Sequence, residues 1–133
     1  YCMSDGPIKL LGRDRLLSFE QIAAFVRVAA PLGLRRIRLT GGEPLVRKDL
    51  FKLVARLRSI DSVDEIAITT NGMLLSEQID DLLAAGLDRI NISLDTLREE
   101  TFRKLSRRDG IDQVVKGIES AIQRGLKPRL NAL

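Results

Sequence analysis

Histidine is absent from this sequence, tryptophan is absent too, and there is one cysteine and one tyrosine. Without histidine there is no Ser-His-Asp or Cys-His triad, no imidazole ligand for zinc and no imidazole acid–base chemistry. One cysteine excludes an internal disulfide and any self-contained thiolate metal site. It fits a reducing compartment, so a cytoplasmic location is expected. Aromatic residues make up only 4%, too few for a platform on which single-stranded nucleic acid would stack. No apolar run approaches the about 20 residues that span a bilayer, so no transmembrane helix is expected. Residues 1–17 lack an apolar run behind a basic start, so no secretory signal is read there.

What remains is a foldable composition. The 133 residues leave room for one domain, with 44% hydrophobic and 30% charged residues. The net charge is +4 and the pI near 9.6. The basic residues are spread along the chain (Arg35, Arg36, Arg38; Arg47, Lys48; Arg107, Arg108; Lys127, Arg129). That favours solvated faces and a small anionic ligand over nucleic acid.

A weak repeat organises the chain. Leu-Gly-Leu at 32–34, Ala-Gly-Leu at 85–87 and Arg-Gly-Leu at 124–126 each close a helical stretch and precede a strand, at 35–40, 88–95 and 127–133. The glycines suit the left-handed position that ends a helix. A further strand at 65–70 follows a helix ending near Ile60. Helical periodicity marks 18–30 (Ile22, Phe25, Val26, Ala29), with Ser18 and Gln21 as a capping box. It also marks 49–59 (Leu50, Leu53, Val54, Leu57) and 76–85 (Ile79, Leu82, Leu83). Thr96 and Glu99 read as a second capping box opening a helix to about Leu105. Ile111, Val114, Val115, Ile118 and Ile122 mark the last helix. Alternating helices and strands predict an α/β fold with parallel pairing.

The strands are not uniformly apolar, as strands covered on both faces would be. Ile37 and Leu39, Ile66 and Ile68, Ile90, Ile92 and Leu94, and Leu130 and Ala132 alternate with a second set. That set is Arg38, Thr40, Ala67, Thr69, Asn91, Ser93, Asp95, Arg129 and Asn131. The apolar set is expected under the helices. A polar set on the other face cannot be a dry core, because an unpaired buried polar group costs about 1–3 kcal/mol. Either that face meets solvent, or its residues hydrogen-bond one another inside a filled barrel, or it lines a polar cavity. The reading favoured is the cavity, which a curved sheet with helices only outside, a barrel or partial barrel, supplies. Ligand sites then gather at the C-terminal strand ends.

One such end carries Thr40-Gly41-Gly42-Glu43-Pro44. Two glycines let a ligand approach the main chain closely. A phosphate loop would continue into Lys and Ser or Thr. Here Glu43 disfavours an anion and Pro44 removes a donor. Carbonyl oxygens beside a carboxylate suit an ammonium group; the plain alternative is a Gly-Gly turn with a surface glutamate.

Gly-Gly-Glu-Pro after such a strand resembles the S-adenosylmethionine-binding loop of the radical S-adenosylmethionine (SAM) superfamily. Tyr1-Cys2 resembles the end of that superfamily's Cys-x3-Cys-x2-Cys cluster motif. The wider set is similar to the GTP 3′,8-cyclase family of molybdenum-cofactor biosynthesis, over essentially the whole chain. It comprises Ile37–Thr40, Leu45–Leu50, Thr69-Thr70-Asn71-Gly72 and Asn91-Ile92-Ser93-Leu94-Asp95. The resemblance implies part of a partial (β/α) barrel with parallel strands and outer helices. It implies a [4Fe-4S] cluster that binds SAM and reductively cleaves it to a 5′-deoxyadenosyl radical. That radical takes the 3′ hydrogen of GTP, whose sugar radical attacks C8 of guanine.

Residue by residue, the resemblance makes Cys2 the third cluster ligand and Tyr1 the aromatic neighbour of bound SAM. Gly42 meets the methionyl amine, with Gly41 and Glu43 shaping the loop, and Ser93 also contacts SAM. Arg38 and Thr69 contact GTP. Arg129 stands where the family has a GTP-contacting lysine, with Lys127 as the alternative. The resemblance further implies an electron donor such as a flavodoxin or ferredoxin, and leaves a homodimer open. The expected domain is 1–133, a core fragment. The family's first strand, final strands and C-terminal domain, with its second [4Fe-4S] cluster, lie outside it. Two of the three cluster cysteines also lie outside it, so the chain alone is expected to be inactive. The alternatives are another radical SAM enzyme, such as a peptide-modifying or heme-pathway member, and a non-catalytic nucleotide- or nucleic-acid-binding βα module.

Overall fold

The structure, a computed structural model, describes residues 16–132. Tyr1 and Cys2 lie outside the described residues. Helix α1 (Phe19–Ala29) opens on the expected box: Gln21 N–H donates to Ser18 Oγ (3.2 Å), and Ser18 N–H to Gln21 Oε1 (2.8 Å). Pro31 ends it in a short 3₁₀ turn over Ala30–Leu32. Strand β1 (Arg36–Leu39) leads to α2 (Leu50–Arg58) and β2 (Glu65–Thr70), then α3 (Leu75–Ala84) and β3 (Arg89–Ser93). Helices α4 (Glu99–Ser106) and α5 (Ile111–Gln123) precede β4 (Arg129–Asn131). Gly33, Gly86 and Gly125 have the expected positive φ.

Among the described residues the four strands form one parallel sheet in the order β1-β2-β3-β4. Parallel neighbours in chain order, joined by crossovers of one hand, place every crossover helix on the same side. A doubly wound sheet needs a reversal of strand order, and there is none here. Burial agrees. Ile66, Ile68, Ile90 and Ile92 are essentially inaccessible and pack with Leu53, Val54, Leu57, Leu75, Ile79, Leu82 and Val114 from the helices. On the opposite face Arg38, Ser93, Arg129 and Asn131 are exposed.

Four expectations are corrected. Phe25 is 69% exposed; the buried line of α1 is Ala23, Val26 and Ala30, and Phe25 lies about 200° around the helix from Ala23. Ile122 is exposed, because α5 buries Val114, Gly117 and Ala121 instead. The Thr96–Glu99 box does not form. Helix α4 begins at Glu99, with no side-chain cap bond, so Glu99 is the first helical residue and not the third. Thr96 Oγ1 instead accepts from Arg98 N–H (3.1 Å). Leu130 is 55% exposed, because β4 is an edge strand and no described helix follows to cover it.

Candidate functional site

The register sets the residues of the open face in rows. Arg38 on β1 is level with Ala67 on β2 and Arg89 on β3. One step nearer the C-terminal ends, Thr69 is level with Asn91, and Asn91 with Arg129. Ser93 and Asn131 form the next row. The structure therefore brings Arg38, Thr69, Ser93 and Arg129 onto one face. It does not bring Arg38 and Arg129 side by side. They stand on opposite edge strands, three strand spacings and one row apart, roughly 16 Å on a flat sheet.

The face is not uniformly open. Asn91 and Ala67 are buried within it. Asn91 Nδ2 donates to the Thr69 hydroxyl (3.5 Å), and Thr69 is half-buried. Arg89 pairs with Glu65 (3.1 Å). The side chains of Arg38 and Arg129 are exposed and form no hydrogen bond or ion pair with another described residue. Sequence reasoning set Asn91 on this face but did not place Arg36 or Arg89 there. Period-two alternation from Arg38 on β1 and from Asn91 on β3 was the signal that would have found both.

The Gly-Gly loop leaves the end of β1. Gly41 has φ +145°, a conformation that side chains rarely adopt, whereas Gly42 has no positive φ. A Cβ built on Gly42 meets no atom within 4 Å. Nothing in the described chain requires glycine at 42. The open space beside its main chain fits a ligand that approaches the backbone, as SAM would.

Glu43 explains how the loop is held. Its Oε1 accepts from the Thr70 hydroxyl (2.7 Å) and Leu45 N–H (3.0 Å), and its Oε2 accepts from Asn71 N–H (2.7 Å). The carboxylate is thus turned to the chain's own donors and shapes the loop. It starts the 3₁₀ turn Pro44–Val46, with Pro44 where a helical turn needs no N–H. Gln78 Nε2 donates to Leu45 O (3.0 Å), tying that turn to α3. Thr70 Oγ1 accepts from Gly72 N–H (3.0 Å) and Asn71 Oδ1 from Met73 N–H (3.0 Å), closing the turn after β2. Among the described residues no group of His, Cys, Asp and Glu side chains could hold a metal ion, and no helix is long and apolar enough to cross a membrane.

Parallel strands in chain order, helices on one face and ligand-ready loops at the C-terminal strand ends define a (β/α)-barrel class of protein. Within that class the chain belongs to the Radical SAM superfamily, whose family model matches residues 1–132; its sheet and helices are a part of that superfamily's partial barrel. The chain is 46% identical over 134 residues to a GTP 3′,8-cyclase of Heliobacterium modesticaldum. It is 47% identical over 135 residues to one of Rhodopirellula baltica. It is 42% identical over 133 residues to molybdenum cofactor biosynthesis protein 1 of Drosophila melanogaster. All of this chain is covered each time, against 41%, 38% and 24% of the relatives. The chain thus spans about two fifths or less of the length of these curated relatives.

Proposed function

We propose that this chain supplies the SAM-binding loop and part of the nucleotide site of a longer radical SAM GTP 3′,8-cyclase acting in molybdenum-cofactor synthesis. The observation that carries the reading is Gly42: an unstrained glycine, open to space, beside a loop whose one carboxylate is already engaged. The relatives' names support the substrate. In this reading Gly42 receives the methionyl amine, Gly41 makes the turn, Glu43 fixes it, and Ser93 contacts SAM from the end of β3. Tyr1 lies beside SAM, and Cys2 is one thiolate of the cluster. When bound, the cluster and SAM supply a hydrogen-abstracting radical, using one electron from a flavodoxin- or ferredoxin-class donor.

The chain's own residues orient the other substrate. Arg38 and Arg129 offer two unengaged guanidiniums to the triphosphate, a geometry suited to bidentate contact. Thr69, its hydroxyl steadied by Asn91, contacts GTP between them. The test is an anaerobic assay of the complete protein that contains this chain, with SAM, reductant and GTP. The expected result is 5′-deoxyadenosine together with a 3′,8-cyclised guanosine triphosphate. SAM cleavage that GTP neither stimulates nor follows into product would overturn the substrate and leave only the superfamily.

A further inference from the structure

We propose that Thr70 is a positioning residue for SAM, acting through Glu43; the inference rests on reading Gly41-Gly42 as the SAM loop. Thr70 closes β2 on the helix-facing side, in line with Ile66 and Ile68, and is 2% exposed. A polar side chain there stands where the alternation calls for an apolar one. Its hydroxyl is fully used. It donates to Glu43 Oε1 (2.7 Å) and accepts from Gly72 N–H (3.0 Å).

Glu43 follows Gly42 directly, and Gly41 and Gly42 are themselves exposed, with no atom within 4 Å of where a Cβ would stand. The glycines are therefore placed against the end of β2 by Glu43. Its three donors are Thr70 Oγ1, Leu45 N–H and Asn71 N–H. Leu45 lies on the loop's own side, two residues on. Only Thr70 and Asn71 reach across from β2, and Asn71 does so with main chain. Among the described residues, Thr70 is thus the one side chain of β2 that hydrogen-bonds to the loop. The same strand end carries Thr69 on the opposite face, so the bond also fixes the loop relative to the proposed nucleotide contact.

The test uses the complete protein, with its cluster reconstituted, and reads SAM affinity by anaerobic equilibrium dialysis beside iron content and thermal midpoint. Thr70→Val keeps the volume and removes both bonds. SAM affinity should fall about tenfold or more, the range for one bond to a charged group, while iron content stays at the wild-type value. Thr70→Ser keeps the hydroxyl and should restore the affinity. Should Thr70→Val fail to fold, Glu43→Gln gives the second reading: it keeps the shape but turns one acceptor into a donor facing a donor, and should show the same loss. Either folded variant binding SAM as the wild type does overturns the role of Thr70. A wild type that binds no SAM, or a Gly42→Val variant that binds it normally, overturns the loop assignment instead, and the Thr70 proposal with it.

Discussion

Gly41 and Gly42 are neighbours, yet the backbone asks different things of them. At Gly41, φ of +145° makes any side chain strained, at a cost of about 1–3 kcal/mol for a forced backbone outlier. At Gly42 an added methyl meets open space, so the fold itself sets no penalty. This separates folding from binding. Gly42→Ala and Gly42→Val should leave the thermal midpoint and iron content of the complete protein near the wild-type values. Gly42→Val should nonetheless abolish SAM cleavage, read as loss of 5′-deoxyadenosine; unchanged production would mean that no ligand packs on this main chain. The Gly-Gly pair was legible in the sequence because it follows a strand and precedes Glu-Pro. The fate of Glu43 was not. Its partners Thr70 and Asn71 lie 27 and 28 residues away, and only the parallel pairing of β1 with β2 brings them within reach.

At the level of elements, local signals read correctly where the chain alone decides them. The Ser18–Gln21 box and the three helix-ending glycines depend on neighbours in sequence, and they stand as expected. Thr96–Glu99 has the same spacing, but the helix starts two residues later than that box requires, so the pattern matched a turn. Tertiary fit is the harder part. Gly117 lies within α5, and a Cβ there would sit 2.7 Å from Gly72 O and 3.1 Å from Leu75 Cβ. Backbone cannot give way as a side-chain tip does, so α5 would have to lift from the turn after β2. Gly117→Ala should therefore destabilise by about 1–3 kcal/mol despite its better helix propensity, seen as a lower urea midpoint. A higher midpoint would show that α5 slides freely. Helices α3 and α5 are also joined by Arg124, which donates from Nε and Nη2 to the Asp80 carboxylate and from Nη1 to Ser120 O (3.0 Å). The Arg124 hydrogen bond first, then its charge, hold the Asp80 carboxyl below its ordinary value of 3.8. A carboxyl so lowered stabilises the fold above 3.8 and loses that contribution as pH falls through the lowered value. Asp80→Asn should accordingly flatten acid unfolding in that window and change little at neutral pH, where an exposed pair counts for little.

Over the whole molecule, one face of the sheet is covered and the other carries the charge. The alternation of Ile with polar residues announced this division, and the exposed Leu130 marks where it stops, at an edge strand that no described element covers. Across the open face the strands hold four arginines, Arg36, Arg38, Arg89 and Arg129, against one carboxylate, Glu65, which Arg89 engages. Such a surface attracts a polyanion from a distance and holds it by direct contact, and the two effects separate with salt. Screening shortens from about 10 Å at 0.1 M to about 3 Å at 1 M ionic strength. Arg38 and Arg129 stand three strand spacings and one row apart, roughly 16 Å on a flat sheet, so on the proposed function each acts on the nucleotide individually and neither needs the other for its own stability. Arg38→Ala and Arg129→Ala in the complete protein should each raise the Kd for GTP by roughly ten- to a hundredfold, the loss of one charge-assisted bond worth about 1.5–3 kcal/mol. The double variant should also show a flatter dependence of GTP affinity on salt than the wild type, because two of the charges that salt screens are gone. SAM affinity should change little with either substitution or with salt, since the proposed SAM loop is held by Glu43 through the Thr70 hydroxyl and main-chain donors. Titration calorimetry over an ionic-strength series decides it. If both variants bind GTP like the wild type, or if the salt slope of the double variant is unchanged, the arginines are solvated surface charges and the nucleotide lies elsewhere.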